Sequence, residues 1–308
     1  MASPLLDLPG AVAGDGIDAP VAAHYGSFNI EQRTLESGDG FVDLSHRDVV
    51  RIAGPDRLTW LHSLTTQDFT GLGPGVWTSA LVLSPQGHVE HAFTGVNDGE
   101  AFTAHTEPGM GAGLVAWLDS MRFMMRVEVG LVDDLAVMWR PTKTDLVPRA
   151  RMREYAEAAG PACGLWAHEA LRIARGEPRL GLDTDHRTIP NEVGWIGSAV
   201  HLDKGCYRGQ ETVARVHTLG RPPRRLTLLH LDGSENRLPA AGSPLLHEGR
   251  EVGFVGSSAR HHELGPIALG LVKRNVPVDA PLEVDSMPVA QEVVVDPEVG
   301  LHVRPRLR

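Results

Sequence analysis

The chain has 308 residues and a net charge of −10 at neutral pH, enough length for two or three domains and the wrong sign for a basic nucleic-acid footprint. Hydrophobic residues make up 42% and charged residues 22%, the balance of an ordinary globular chain rather than a disordered one. Two cysteines, Cys163 and Cys206, are too few for a disulfide framework or a four-thiolate metal site, so a reduced, cytoplasmic compartment is expected.

Met1 to Pro20 holds no Lys or Arg and no continuous apolar core, unlike a signal peptide. Its Ala, Gly, Pro and Asp content predicts a mobile N-terminal arm over residues 1–22. No apolar run is long enough to span a bilayer. Phe41 to Leu44 and Asp48 to Ile52 have strand character. Gly54-Pro55-Asp56 opens a helix whose Leu58, Leu61 and Leu64 form a stripe.

Val76 to Leu83, Val89 to Val96 and Glu100 to His105 predict three strands, separated by Ser84-Pro85-Gln86-Gly87 and Asn97-Asp98-Gly99 turns. A helix is expected over Gly111 to Met125, with Leu114, Leu118, Met121, Met124 and Met125 inward as core filler. Val127 to Val132 and Leu135 to Trp139 resume the strand pattern, and Pro141 to Pro148 reads as a connection. Met152 to Ala159 and Trp166 to Arg175 are expected helices, ended by Gly160-Pro161 and Gly176.

Glu177 to Gly209 is long and irregular, which in a compact domain points to function. Leu219 to Pro223 reads as a hinge. Short strands follow at 226–231, 252–257, 267–272, 282–284 and 292–295, a small antiparallel barrel. Hairpins rather than regular crossovers make the class α+β. His261-His262-Glu263 is either a metal site or a solvated loop.

Chemistry concentrates in Lys204-Gly205-Cys206-Tyr207-Arg208-Gly209-Gln210-Glu211. Glycine on both sides of a cysteine lets the backbone turn sharply and approach a ligand. Lys204 and Arg208 would favour the thiolate of Cys206. The alternative is a buried, inert cysteine in a Gly-rich turn. Cys163 has no flanking cation and reads as structural.

This octapeptide closely resembles the K-G-C-[FY]-x-G-Q-E signature of the YgfZ-type folate-binding proteins, relatives of the glycine-cleavage T-protein (aminomethyltransferase). Asp43-Leu44-Ser45-His46, Gly54-Pro55-Asp56-Arg57 and Leu64-Thr65-Thr66-Gln67-Asp68 resemble that family's N-terminal blocks. Arg172 to Arg179 resembles its R-I-x-x-G-x-P-R block, and Ile189 to Gly194 its P-x-E-x-G block. Gly253 to Ser258 and Ala268 to Arg274 resemble its barrel strands. The resemblance implies a three-part cloverleaf: two interleaved α+β parts over 23–221 and a barrel over 222–308. It implies tetrahydrofolate or a one-carbon derivative in the channel between them. It also implies a role in iron–sulfur cluster synthesis or repair, with client or assembly proteins as partners and neither nucleic acid nor membrane.

Residue by residue, the resemblance places Cys206 and Lys204 at the reactive centre. It places Glu192 where a carboxylate would match the 2-amino-4-oxo edge of a pterin, and Tyr207, Arg208 and Gln210 beside the ligand. Arg215, Arg224, Arg225, Lys273 and Arg274 are candidates for the anionic folate tail. The T-protein strand G-[IV]-x-D-[DE] reads Gly87-His88-Val89-Glu90-His91 here. Its acid is absent, and Glu90 is one methylene longer. A displacement of about 1 Å can cost roughly a hundredfold in rate, so aminomethyl transfer is disfavoured. His91 has the right range for a base, although a structural role is commoner on such a strand. The rival readings are a folate-dependent one-carbon transferase and a non-catalytic scaffold.

Overall fold

The computed structural model describes residues 2–235 and 237–302. In chain order its elements are β1 (Val12–Ala13), β2 (Ala22–His24), α1 (Phe28–Glu36), β3 (Phe41–Asp43), β4 (Asp48–Ala53), α2 (Arg57–Leu64), β5 (Trp77–Leu83), β6 (Val89–Asn97) and β7 (Ala101–Thr106). Then come α3 (Gly111–Ser120), β8 (Glu128–Leu131), β9 (Leu135–Arg140), β10 (Lys143–Pro148), α4 (Met152–Ala158), β11 (Ala162–Cys163), α5 (Leu165–Ala174) and α6 (Gln210–Leu219). The last third holds β12 (Arg224–Leu231), β13 (Pro244–His247), β14 (Arg250–His261), β15 (Gly265–Lys273), β16 (Leu282–Val284) and β17 (Met287–Val293).

Strand pairing sorts these into three larger bodies and a two-stranded ribbon, β1-β2. One is a five-stranded sheet in the order β5-β6-β7-β4-β8, another a four-stranded sheet in the order β10-β9-β3-β11. The third is a closed barrel, β12-β15-β14-β13-β16-β17, with every pair antiparallel. Consecutive β3 and β4 lie in different sheets, and so do β8 and β9, which interleaves the first two bodies. The expected α+β class with a C-terminal barrel is the fold observed. The barrel expectation ran to residue 308; residues 303–308, and Met1 at the other end, lie outside the described residues.

The five-stranded body buries Trp60 and Leu61 of α2 and Leu114 and Leu118 of α3 against Val50, Ile52, Phe93 and Phe102. Residues four apart share a helix face, and each such large apolar side chain contributes about 1.5–3 kcal/mol on burial. Helix α3 stops at Ser120, short of the expected Met125. The Trp60 indole N–H donates to the Met121 carbonyl at 3.1 Å, and Arg126 forks onto Asp56, turning the chain back. Phe123 takes the left-handed conformation, φ +49°. Met124 is therefore 89% exposed and Phe123 93%, so the methionine tract is not core filler. Residues 143–148, expected as a connection, pair as β10 with β9.

The N-terminal segment is not a free arm. Leu5 and Val21 are fully buried, β1 pairs with β2, and Ser3 donates to Asp43 at 2.5 Å. Asp18 is tied to His46 and Arg179. Residue types that read as flexible are here fixed by tertiary partners.

The bodies meet at a buried ionic lattice. Arg172 on α5 forks onto Glu169 and reaches Asp183 at 3.0 Å. Arg179 pairs with Glu107 behind β7, with Asp18, and with Glu169 at 3.3 Å. Asp183 accepts from the Arg179 amide and from the amide and hydroxyl of Ser257 on β14. Gly256 is required there, since a Cβ would lie 2.2 Å from Asp183 Oδ1. Burial alone would raise the Glu169 carboxyl, but Arg172 and Arg179 hold it well below the usual carboxylate range.

Removing one partner from such a buried set leaves uncompensated charge and costs about 3–5 kcal/mol. Arg179→Met is expected to lower the chemical-unfolding midpoint by that equivalent. Arg221→Ala, which breaks an exposed pair with Glu298, should leave the midpoint within error. Parallel urea titrations check both.

Candidate functional site

A cavity of about 640 Å³ opens between the bodies. Its walls come from β5 and β6 (Ser79, Leu81, Ala92, Thr94), from β9 (Trp139), from α5 (His168, Arg172) and from the irregular stretch (Arg179, Val193, Trp195). Arg47, His105 and Arg175 also line it. Four arginines and two indoles thus face one space. The Arg172 to Arg179 and Ile189 to Gly194 segments form much of this wall, so the motif blocks mark the site even where the individual residues named from them do not.

Burial, then the adjacent Arg47 guanidinium, hold His105 well below its usual value of 6.5. His168 is also lowered by burial, against the pull of Glu169. Both rings are neutral near neutral pH, and His105 Nδ1 lies 3.4 Å from Arg47 Nη1.

Cys206 is exposed and Cys163 buried. The exposure of Cys206 follows from its neighbours. The Lys204 ammonium donates to the carbonyls of His62, Thr65 and Gln67, the last at 3.1 Å, capping the negative end of α2. It also lies 5.2 Å from the centre of the Tyr207 ring. Tyr207 is buried among Leu81, Leu83, Val89 and Val213. With both neighbours anchored inward, Gly205 and Cys206 are held outward. A Cβ at Gly209 would sit 2.5 Å from the Ser84 carbonyl and 2.9 Å from Gly87 Cα, and φ is +80°. The loop therefore packs glycine to glycine on the β5–β6 turn. Gly205 meets nothing within 4 Å, so only the second glycine is needed for a turn. The Leu64 to Asp68 block supplies more ties: Thr66 donates to Ala199 O, and Gln67 to Ser79 O and Ser198 O.

The residues expected around a ligand separate into different places. Lys204 is an anchor, its ammonium committed to carbonyls rather than placed to tune the thiol. Arg208 pairs with Glu90 at 3.0 Å. Glu192 is 1% exposed, and Arg224 forks onto both its oxygens at 2.8 Å. Glu192 also accepts from the Ile189 amide, as in a capping box, so its carboxylate has no free edge for a pterin. Arg224 itself joins Glu192 to Asp185, and so pins the barrel to the irregular stretch. Arg225 is 1% exposed and bonds Lys273 O and Gln291; it is a barrel residue rather than a tail binder. Tyr207 is packed, Gln210 begins α6, and Arg215 is exposed on that helix. None of these lines the cavity.

Glu90 occupies a β-bulge: Val82 pairs with His91 and Leu83 with Val89, leaving Glu90 unpaired in the ladder. Bulges re-aim side chains, and this one turns Glu90 toward Arg208. His91 packs beside Gly113 of α3, a structural place. His261 and His262 stack at 4.8 Å and approach Glu36 closely enough to suggest a metal group. His262 Nε2 and Glu36 are 2.6 Å apart, and the His262 amide donates to Gln32. His261 Nδ1 accepts the backbone amides of Glu263 and Leu264. The pair is not a solvated loop: it latches the β14–β15 hairpin to α1.

Arg47, Trp139, His168, Arg175 and Trp195 were not anticipated. Arg47 directly follows the Asp43 to His46 block, and Trp195 directly follows Gly194; proximity to those blocks was the only available signal.

Burial pushes the Cys163 thiol up to about 12. A thiol-reactive probe should modify one cysteine in the native protein and two after denaturation, and Cys206→Ser should abolish the native reaction. The neutral histidines give a pH dependence. The unfolded state takes up protons near 6.5 that the folded state refuses, so this stability is present above that pH and lost as pH falls below it. The unfolding midpoint should drop between about pH 7 and pH 5.5, less steeply in His105→Gln.

No family model matches the chain. A chloroplastic Arabidopsis thaliana protein with a provisional transferase name is 24% identical over 86% of this chain and 71% of its own length. The aminomethyltransferase of Rippkaea orientalis is 35% identical over 43% of this chain and 36% of that protein. The Synechococcus sp. aminomethyltransferase is 26% identical over 79% and 81%. The crystal structure of glycine cleavage system aminomethyltransferase T from Bartonella henselae superposes with a TM-score of 0.79 at 18% identity, over 96% of each chain. Among the described residues no helix is long and apolar enough to cross a membrane. The chain is a relative of the aminomethyltransferases and shares their fold.

Proposed function

We propose that the protein binds a reduced folate, tetrahydrofolate or a one-carbon derivative, in the cavity between the bodies. We propose further that Cys206, rather than a carboxylate, is its reactive group in support of iron–sulfur proteins in a reducing compartment. The observation that carries the reading is the cavity wall, in which Trp139 and Trp195 stand among Arg47, Arg172, Arg175 and Arg179. Folate is a flat heteroaromatic ring joined to an anionic tail. Indoles offer stacking faces to the ring, and guanidinium groups offer charge-assisted bonds to the tail. The relationship to aminomethyltransferases supports the same ligand class. Glu90, the carboxylate nearest the position expected for an acid, is occupied by Arg208, while the thiol is presented to solvent.

One observation favours aminomethyl transfer as a second reading. Glu90 lies only two residues along β6 from Ala92, which lines the cavity. That reading requires methylenetetrahydrofolate to form from an aminomethyl donor, and Glu90→Gln to abolish it. Product at background in both proteins would eliminate it.

Anaerobic calorimetric titration tests the main reading. Wild type should bind tetrahydrofolate at one saturable site. Trp195→Ala should weaken binding by about tenfold through loss of stacking. Glu192→Ala should lower thermal stability and leave affinity within about threefold, since Arg224 already occupies that carboxylate. Absence of binding by folded wild type would refute the folate reading.

A further inference from the structure

The arginines around the cavity are not equally satisfied. Arg172 and Arg179 are locked in the lattice by forked contacts. Arg175 forks onto Glu177 at 2.8 and 2.9 Å, where both side chains are well exposed. Arg47 differs. Its guanidinium touches His105 Nδ1 and Glu107 only at 3.4 Å, at the long limit for a hydrogen bond. Its Nε is buried with no partner. A guanidinium carries five donors and cannot shed its proton, so leaving it under-bonded beside a cavity is costly. Apo sites often hold such long contacts, which tighten only around a ligand.

The surroundings say which part of a ligand Arg47 meets. It stands with His105, Trp139 and His168, and the Trp139 and His168 rings are 4.8 Å apart, edge to face. This aromatic end suits a flat neutral ring. Arg175, also in the cavity wall, is 44% exposed, so a charged tail beside it keeps much of its hydration. Burying the tail at the aromatic end would forfeit that hydration. Glu192, the carboxylate that would read the amino edge, is closed by Arg224.

Resting on the folate reading, we infer that Arg47 is a specificity-determining residue whose guanidinium donates to the ring oxo group. The cavity then selects a 4-oxo over a 4-amino pterin, because an amino group there would set donor against donor.

The test compares tetrahydrofolate with its 4-amino counterpart by anaerobic calorimetry. Wild type should prefer the 4-oxo ligand by about tenfold to a hundredfold, the range of one hydrogen bond to a charged group. Arg47→Gln should shrink that preference to within about threefold while weakening tetrahydrofolate. Arg47→Lys keeps the charge without the fork and should fall between them. Equal affinity of wild type for the two ligands would overturn the assignment without recourse to a variant. So would an undiminished preference in a folded Arg47→Gln protein. If folded wild type binds neither ligand, the folate reading fails and the assignment fails with it; if it binds tetrahydrofolate unselectively, only the assignment fails.

Discussion

Everything that positions the cavity depends on Arg179 and Arg172 finding their carboxylates at once. Moving an ion from water into the interior costs several kcal/mol, and its partners repay this only when the geometry is complete. Asp18, Glu107, Glu169, Asp183 and the Ser257 amide come from the N-terminal segment, the five-stranded body, α5, the irregular stretch and the barrel respectively. A partly docked arrangement would therefore bury charge without compensation. The lattice is weak evidence for net stability, but it selects one docking geometry over its neighbours. It also polarises the molecule. Arg172 and Arg179 are held in the cavity wall by Asp18, Glu169 and Asp183, which do not line it, so four arginines stand there against Glu107 and Glu177 in a chain of net charge −10.

A second constraint concerns residues 177–209, which have almost no regular structure to satisfy their backbone groups. Side chains do that work. Arg224 spans Asp185 and Glu192, Lys204 collects three carbonyls at the end of α2, and Thr66 and Gln67 bond the backbone around Ser198 and Ala199. An irregular segment fixed in this way can expose side chains without becoming loose. Cys206 is one of these, held out by a buried Lys204 before it and a buried Tyr207 after it.

The sequence made the elements legible where a period of two or 3.6 repeats, as in β4 to β7, α2 and α5. Class and barrel followed from turn chemistry between short strands. It failed where tertiary partners override local preference. Nothing within Met1 to Pro20 announces that Asp18 will meet Arg179, and nothing near Met121 announces that Trp60 and Asp56 will end α3. For the site, segments were legible and side-chain roles were not. Glu192 and Arg208 are polar residues in motif positions, which from sequence alone point toward a ligand. Their partners, Arg224 and Glu90, lie 32 and 118 positions away, a separation that composition and spacing do not register. Arg47 was missed for the converse reason, since its distinction is the poor quality of its contacts.

The bulge at Glu90 shows how such a fold can change its chemistry with small local means. An extra residue in β6 turns a carboxylate out of the ladder and into the reach of Arg208. That guanidinium belongs to the same short loop that presents Cys206. The contact that helps order the loop therefore also occupies the Glu90 carboxylate at this edge. The Cys206 thiol of the same loop is exposed. Glu90 and the cysteine loop are thus tied together through Arg208: freeing the Glu90 carboxylate would release one of the contacts that hold the loop in place.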